Sequence, residues 1–507
     1  MDRSNKIWLG IAAFLGVTAI WWLLAPKAEP VLVETQLPER SKDSLPEAPI
    51  AKRFRHVELS RAAVDAVREG ERIIQLNLFP GETVRVRLDK AEKTDPVSTE
   101  VHGEVIGMPG AAVSFVTYNG TMAGSIEYPD GRMFLINYAD QKAHSIVEID
   151  SGATGSIPHT SVAHPDTQTI LYRSPEGSVT SMPQYKMQRY KPGVKYRVPG
   201  FPGFTHILTL TNTLRTNFWT VPKPPVFGPP IMGVLVCYTG LAEKQCGGVR
   251  GVETRARISV AQVNNVFRRS AITAKLVLLG TEKVNYTTAG NSTSDLMNLT
   301  FARTAPLFEV HKQRQRYRAD LVSLFTGTSP NNLLHGSSWM LNTTNGAPAY
   351  GFNAMEAIYA PTSVFVHEIG HNLGCSHSTN DVGGLVLRGS FTNSWAWRFG
   401  ITTNGVTYPM KTVMAMGAGR KLGYFSNPNV SVWGVPTGDT NLANNAYTIT
   451  QMAPKVGSYF TQIIHNKKMV PNHYPKSLRP GTTNRPGIRQ PRRFFWRQSG
   501  GGRGTGE

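Results

Sequence analysis

The sequence predicts a multi-domain protein in which a small antiparallel β domain precedes an α/β domain built on a twisted, mostly parallel sheet with helices. Three observations predict it. The chain has 507 residues, more than one ordinary domain uses. Apolar residues recur with period two between turn signals from 55 to 150. From residue 203 onward, strand-like apolar runs alternate with helical patterns. Composition agrees: 40% hydrophobic and 17% charged residues describe a globular chain with a sizeable core. The formal charge of +20, from 54 Lys+Arg against 34 Asp+Glu, points to an anionic partner. Three cysteines exclude a disulfide-dense scaffold, and they are too scattered for a Cys-only zinc ribbon.

The elements follow in chain order. Residues 1–25 read as an N-terminal signal anchor or signal peptide. The uncharged run from Ile7 to Ala25 is close to one bilayer thickness as a helix, about 28 Å at 1.5 Å per residue. Trp21 and Trp22 sit at its outer edge, and no convincing small-residue cleavage site follows. An uncleaved span is the favoured reading, and either reading places the rest of the chain outside the cytoplasm. Residues 26–54, rich in Pro, Glu and Lys, read as a tether. In 55–150, the runs 73–79, 83–89, 111–119 and 132–138 are strands, with turns at Asn119-Gly120 and Pro129-Asp130-Gly131. Residues 151–202 carry scattered Gly, Pro, Ser and Thr and read as an exposed linker, open to proteolysis.

Residues 203–462 form the α/β domain. A buried strand at 231–239 leads to a helix at about 252–269, where Val252, Ala256, Val260, Val263 and Phe267 keep helical spacing. Strands at 274–280 and 319–326 flank a charged helix at 307–318. From 463 to 507 the apolar rhythm stops and the chain reads as a basic disordered tail. Its ten Lys and Arg less Glu507 supply +9 of the total charge, so the basic balance belongs largely to one segment. Phe494, Phe495 and Trp496 among arginines could stack on nucleic-acid bases or meet an anionic lipid surface, although a solvated extension is the blander reading.

The chemistry lies in VFVHEIGHNLGCSHS, which holds His367, Glu368, His371, Gly374 and His377 in the pattern H-E-x-x-H-x-x-G-x-x-H. On a helix, His367 and His371 face one side and can grip one metal ion. Glu368, beside the first ligand, can reach a metal-activated water as general base without becoming a ligand. Gly374 can adopt a positive φ and end the helix sharply. That turn returns His377 as third ligand and leaves a fourth position open, as in catalytic rather than structural zinc (Zn2+) sites. Ordinary buried histidines are the bland reading, but five residues at fixed offsets arise by chance in on the order of 10⁻⁵ of such chains.

These residues resemble the metzincin clan of zinc endopeptidases, and within it the bacterial members of the adamalysin (reprolysin)-like branch. Downstream, KTVMAMGAGRKLGYFSNPN resembles that branch's Met-turn and the element after it, which makes Met414 the methionine beneath the zinc ligands. The resemblance covers about residues 205–460. It implies hydrolysis of protein or peptide substrates lying across a cleft, with a specificity pocket near 361–430. Residues 55–150 loosely resemble the propeptide domain ahead of such enzymes. Three departures stand out. Ser378 follows the third histidine where adamalysins usually have Asp, Met416 occupies a position that is Tyr in some relatives, and no cysteine precedes Cys237 to act as a latency ligand.

Cys237, Cys246 and Cys375 allow one disulfide and a leftover thiol, or three small buried apolar residues. The rival from another class is a non-catalytic extracytoplasmic binding protein that keeps the fold, with the basic tail holding nucleic acid or an anionic surface. Glu368 and all three histidines are retained, which favours the enzyme. The sequence sets no oligomeric state.

Overall fold

The computed structural model describes residues 29–38, 50–149 except 141, short strands between 159 and 209, and 228–460 except 329–334, 380, 382–384 and 404. All belong to one compact unit, 1–462. The apolar run 7–25 and the segment 463–507 lie outside the described residues. Among the described residues, no helix is long and apolar enough to cross a membrane.

The N-terminal half is a ten-stranded antiparallel sheet. Its strands are β1 (Val33–Gln36), β2 (Ala51–Leu59), β3 (Ile73–Phe79), β4 (Glu82–Leu88), β5 (Glu92–Asp95), β6 (Ser98–Val105), β7 (Ala112–Tyr118), β8 (Thr121–Glu127), β9 (Met133–Asp140) and β10 (Ala143–Ile149). The order is β1-β2-β10-β9-β8-β7-β6-β4-β3, with β5 on β6, so most of the sheet is a meander. Its two ends approach through Leu32 N–H to Gln75 O at 2.8 Å and Gln75 N–H to Pro30 O at 2.8 Å. Helix α1 (Arg61–Glu69), capped by Ser60, buries Ala63, Ala66 and Val67 in the same core as Val57, Leu76, Phe115 and Phe134. The Asn119-Gly120 turn has φ of 47° and 76°, the doubly positive geometry that lets two twisted strands meet in a two-residue loop.

The expected tether at 26–54 is in part structured: Leu32 and Ile50 are buried, and β1 and the start of β2 pair within the sheet. Those residues carry too few apolar side chains to announce a strand; the neighbouring strands supply the pairing. The expected linker at 151–202 differs similarly. It contributes β11 (His159–Ala163), β12 (Ile170–Arg173), β13 (Val179–Ser181) and β14 (Lys195–Arg197). β14 pairs with β15 (Ile207–Thr209), across the expected boundary at 202/203. Backbone pairing to an open edge needs no side-chain periodicity, so composition did not reveal it.

The second half is a mixed six-stranded sheet, ordered β11-β19-β20-β18-β16-β17. Its members are β16 (Ile231–Thr239), β17 (Lys275–Val284), β18 (Leu321–Thr326), β19 (Gly336–Met340) and β20 (Phe352–Glu356). β16, β17, β18 and β20 run parallel, β19 is antiparallel to β20, and β11 runs parallel to β19. After β16 come α2 (Gly240–Gln245) and the long α3 (Val249–Arg269); α4 (Ser292–Thr300) and α5 (Leu307–Tyr317) lie between β17 and β18.

Alternation along β16 decides the two cores. Met232, Val234, Val236 and Tyr238 face α3, whereas Leu235 and Cys237 face Leu296, Leu299, Leu307 and Val310 of α4 and α5. The same alternation separates the cysteines. Cys237 lies in the second core and Cys246 and Cys375 in the first; all three are buried and none is in a disulfide, so the bond left open by the sequence is absent. Helix α3 is covered on both sides. Val252, Ala256, Val260, Val263 and Phe267 pack under the mixed sheet, and Ile258 and Ala261 pack on Val116 and Ala123 of the N-terminal sheet. Polar contacts reinforce that seam: Tyr118 Oη donates to Glu253 Oε2 at 2.5 Å, and Asn265 Nδ2 to Ser114 Oγ at 2.9 Å.

Candidate metal centre

Helix α6 (Val364–Asn372) carries the histidine motif, and each of its nine residues is buried. Asn372 fixes it against the sheet: its Nδ2 donates to Trp339 O and Phe352 O, both at 3.1 Å, and its Oδ1 accepts from Asn353 Nδ2 at 2.9 Å. The helix ends at Gly374, where φ is 87°, with Cys375 N–H bonded to Gly370 O at 2.9 Å. A side chain at Gly374 would also place its Cβ 2.1 Å from Ser390 Oγ, so both backbone and space call for glycine.

That turn returns His377 to the helix. His377 Nε2 lies 3.1 Å from His367 Nε2 and 3.0 Å from His371 Nε2. The other ring nitrogens face carbonyls: His367 Nδ1 to Val413 O at 3.0 Å and His371 Nδ1 to Cys375 O at 2.8 Å. A carbonyl can only accept, so both rings carry the proton on Nδ1 and turn the Nε2 lone pair inward. Lone pairs aimed at one point repel unless a cation sits between them. Tetrahedral zinc with Zn–N near 2.0–2.1 Å sets its ligand nitrogens roughly 3.3–3.4 Å apart, close to what is found here. The three imidazoles therefore fit a metal ion. Burial and the neighbouring His377 hold His371 well below the usual histidine range, so it stays neutral and able to ligate.

Glu368 is fully buried and neither carboxylate oxygen has a hydrogen-bond partner. Burial pushes its pKa up to about 8, against smaller opposing effects of the Ser338 hydroxyl and the Lys421 ammonium. Ser338 faces the carboxylate without completing a hydrogen bond, since its own Oγ is also unpartnered. Gly336 on β19 leaves room for this side chain; a Cβ there would stand 2.6 Å from Glu368 Oε1. Met414 is fully buried beneath the histidine helix, and its Sδ would be 2.4 Å from a Cβ placed on Gly370.

The structure adds residues that sequence reading missed. Where the resemblance expects Asp directly after the third histidine, Ser378 stands, and its N–H donates to Asp381 Oδ2 at 2.9 Å. The same oxygen accepts from Met416 N–H at 3.0 Å, and Oδ1 accepts from Arg398 Nε at 3.0 Å and Nη2 at 2.6 Å. Asp381 thus joins the third-histidine loop to the turn after Met414. A carboxylate four residues past His377 was a visible signal, but its partners lie 17 and 35 residues further on. Strands β21 (Leu385–Leu387) and β22 (Arg398–Thr403) follow α6, and Lys411 and Lys421, opposite one another on β23 (Val406–Lys411) and β24 (Arg420–Lys421), bring two further basic side chains to this side.

The family description "Metallo-peptidase family M12B Reprolysin-like" matches residues 229–443. A peptidyl-Asp metalloendopeptidase of Stenotrophomonas maltophilia (strain K279a) is 26% identical over 46% of this chain, and the match spans about half, 53%, of that protein. One of the same name from Xanthomonas campestris pv. campestris is 22% identical over 79% of this chain and 78% of its own length. Metalloproteinase-II from Bacteroides fragilis aligns in structure with a TM-score of 0.32 at 10% identity, covering 65% of this chain and 88% of that one, a likeness too loose to argue from. The match across 229–443 takes in α6, the turn at Gly374, His377 and Met414, so the stretch that holds the three histidines is similar to the reprolysin-like metallopeptidases of family M12B.

Proposed function

We propose that the protein is a zinc-dependent endopeptidase in which His367, His371 and His377 hold the metal and Glu368 is the general base. The observation that carries this is one buried site holding three inward-facing imidazole nitrogens and an unpartnered carboxylate. When bound there, zinc supplies Lewis acidity, polarising a scissile carbonyl and making water a stronger acid. Glu368 takes the proton of the attacking water on a carboxylate oxygen and returns it to the leaving amine nitrogen. Asn372 and the carbonyls of Val413 and Cys375 keep the rings oriented through the cycle.

A metzincin-like arrangement is supported by strand β19, antiparallel to β20 and beside α6, the turn at Gly374 and the methionine below it. On the run 7–25 we place the protein outside the cytoplasm, anchored or secreted, acting on protein or peptide substrates there. The relatives' name makes bonds beside aspartate the first ones to test.

The test is cleavage of an unfolded protein by the purified chain, with and without a chelator, beside Glu368→Ala. Chelation is expected to stop cleavage and added zinc to restore it, whereas Glu368→Ala is expected to keep its zinc and lose activity. Full activity in that variant would sink the mechanism.

A further inference from the structure

We propose that Lys421 is a specificity-determining residue of this site, its ammonium receiving the carboxylate of an acidic substrate side chain beside the scissile bond. The inference rests on the peptidase reading above and deepens it by assigning the substrate class to one residue.

Placement comes first. β24 lies parallel to the end of β23, with Lys421 opposite Lys411, and Leu422 N–H bonds to Lys411 O at 2.9 Å. The chain then passes from Lys411 to Val413, whose carbonyl accepts from His367 Nδ1. Val413 N–H in turn bonds to Tyr424 O at 2.9 Å, so the segment that begins at Lys421 runs beside the one that supports His367, and the Lys421 charge acts on both Glu368 and His377.

Satisfaction comes second. Each neighbouring cation already has a partner. Lys411 donates to Gly417 O, and Arg398 binds Asp381 Oδ1 and Ala418 O. Arg420 stacks over the Tyr408 ring at 4.4 Å. Asp381, the nearby acid, is used up by four hydrogen bonds. The Lys421 side chain alone in this group makes no hydrogen bond or salt bridge with the described residues, although it is half-buried. Burial lowers its pKa to about 8, against the attraction of Glu368 and Asp381.

A half-buried ammonium without a partner is costly, and a carboxylate arriving with the substrate removes that cost through a charge-assisted hydrogen bond. An uncharged isostere leaves it unpaired, and a basic side chain is repelled. A site built this way rejects the analogue that lacks the bonding group, whereas an apolar pocket discriminates only weakly.

The test uses the full, zinc-loaded chain and internally quenched peptides identical except for Asp, Asn or Lys next to the bond cut, on either side of it. Wild type is expected to favour Asp over Asn in kcat/KM by about 10- to 100-fold. K421M is expected to bring that ratio close to one, K421R to retain most of it, and K421E to turn the preference towards Lys. K421R also guards against misfolding, since it keeps charge and bulk. Equal cutting of the Asp and Asn peptides by wild type overturns the inference while the peptidase reading stands. An unchanged Asp/Asn ratio in K421M, with all peptides slowed alike, also overturns it and assigns Lys421 to Glu368 instead. Absence of zinc-dependent cleavage of every peptide overturns both readings.

Discussion

Replacing Asp381 by asparagine separates a structural clamp from a bystander carboxylate. Asparagine can accept from the Ser378 and Met416 amides with its one oxygen, but its NH2 then faces the Arg398 guanidinium, donor against donor. Two charge-assisted bonds, at 3.0 and 2.6 Å, are lost. Each is worth about 1.5–3 kcal/mol when buried. Arg398 is 24% exposed and keeps its bond to Ala418 O, so solvent recovers part of the loss. The expected net cost is about 2–4 kcal/mol. Because Asp381 ties the His377 loop to the turn after Met414, the damage should concentrate at the metal. Zinc affinity, measured by competition with a chromogenic chelator, is expected to fall about 10- to 100-fold, as when partners that orient a metal's ligands are removed. Thermal unfolding of the zinc-free and zinc-loaded forms gives the stability part. A variant that binds zinc and melts like wild type would refute the clamp.

Three further outcomes are expected. Gly336→Ala forces a Cβ to 2.6 Å from Glu368 Oε1 and 2.7 Å from Val364 Cγ1, so kcat should fall on the order of 100-fold while zinc content stays whole; near-normal turnover would show that Glu368 can shift freely. His144, bonded to Thr121 and Lys142 O, has its pKa lowered by burial from 6.5 to about 4, so the folded state stays neutral where the unfolded chain takes up a proton. Stability is therefore full above pH 6.5 and lost as pH falls towards 4, by at most about 3 kcal/mol, and His144→Gln should flatten that stretch of the denaturation profile against pH. Removing residues 1–150 exposes Ile258 and Ala261 and takes one partner each from Glu253 and Asn265, so residues 151–507 expressed alone should aggregate; a soluble fragment with a cooperative melt would show that α3 does not need the N-terminal sheet.

The strands at 73–79 and 231–239 coincide with their apolar runs because alternation or continuous burial is written into consecutive residues. The same holds for α3, whose spacing marked one buried face. Its second buried face, at Ile258 and Ala261, was not evident, since it depends on a sheet more than 100 residues earlier in the chain. β1 and β11 were hidden for a related reason: each pairs by backbone with an edge that exists only once the rest has folded. That Cys237 makes no disulfide is also a tertiary outcome, because one residue of register decides which face of β16 it occupies, away from the core of Cys246 and Cys375.

By itself the sequence singled out the kernel of the proposed site. His367, Glu368, His371, Gly374 and His377 lie within eleven residues, where helical pitch and one glycine turn suffice to set their mutual positions. Only the tertiary structure decided what surrounds that kernel. Gly336 makes room for Glu368, Asp381 joins two loops through Arg398, and Lys421 arrives beside the histidines from 44 residues beyond His377. Contacts between segments far apart in the chain are set by how sheets and helices pack, and no local period records that.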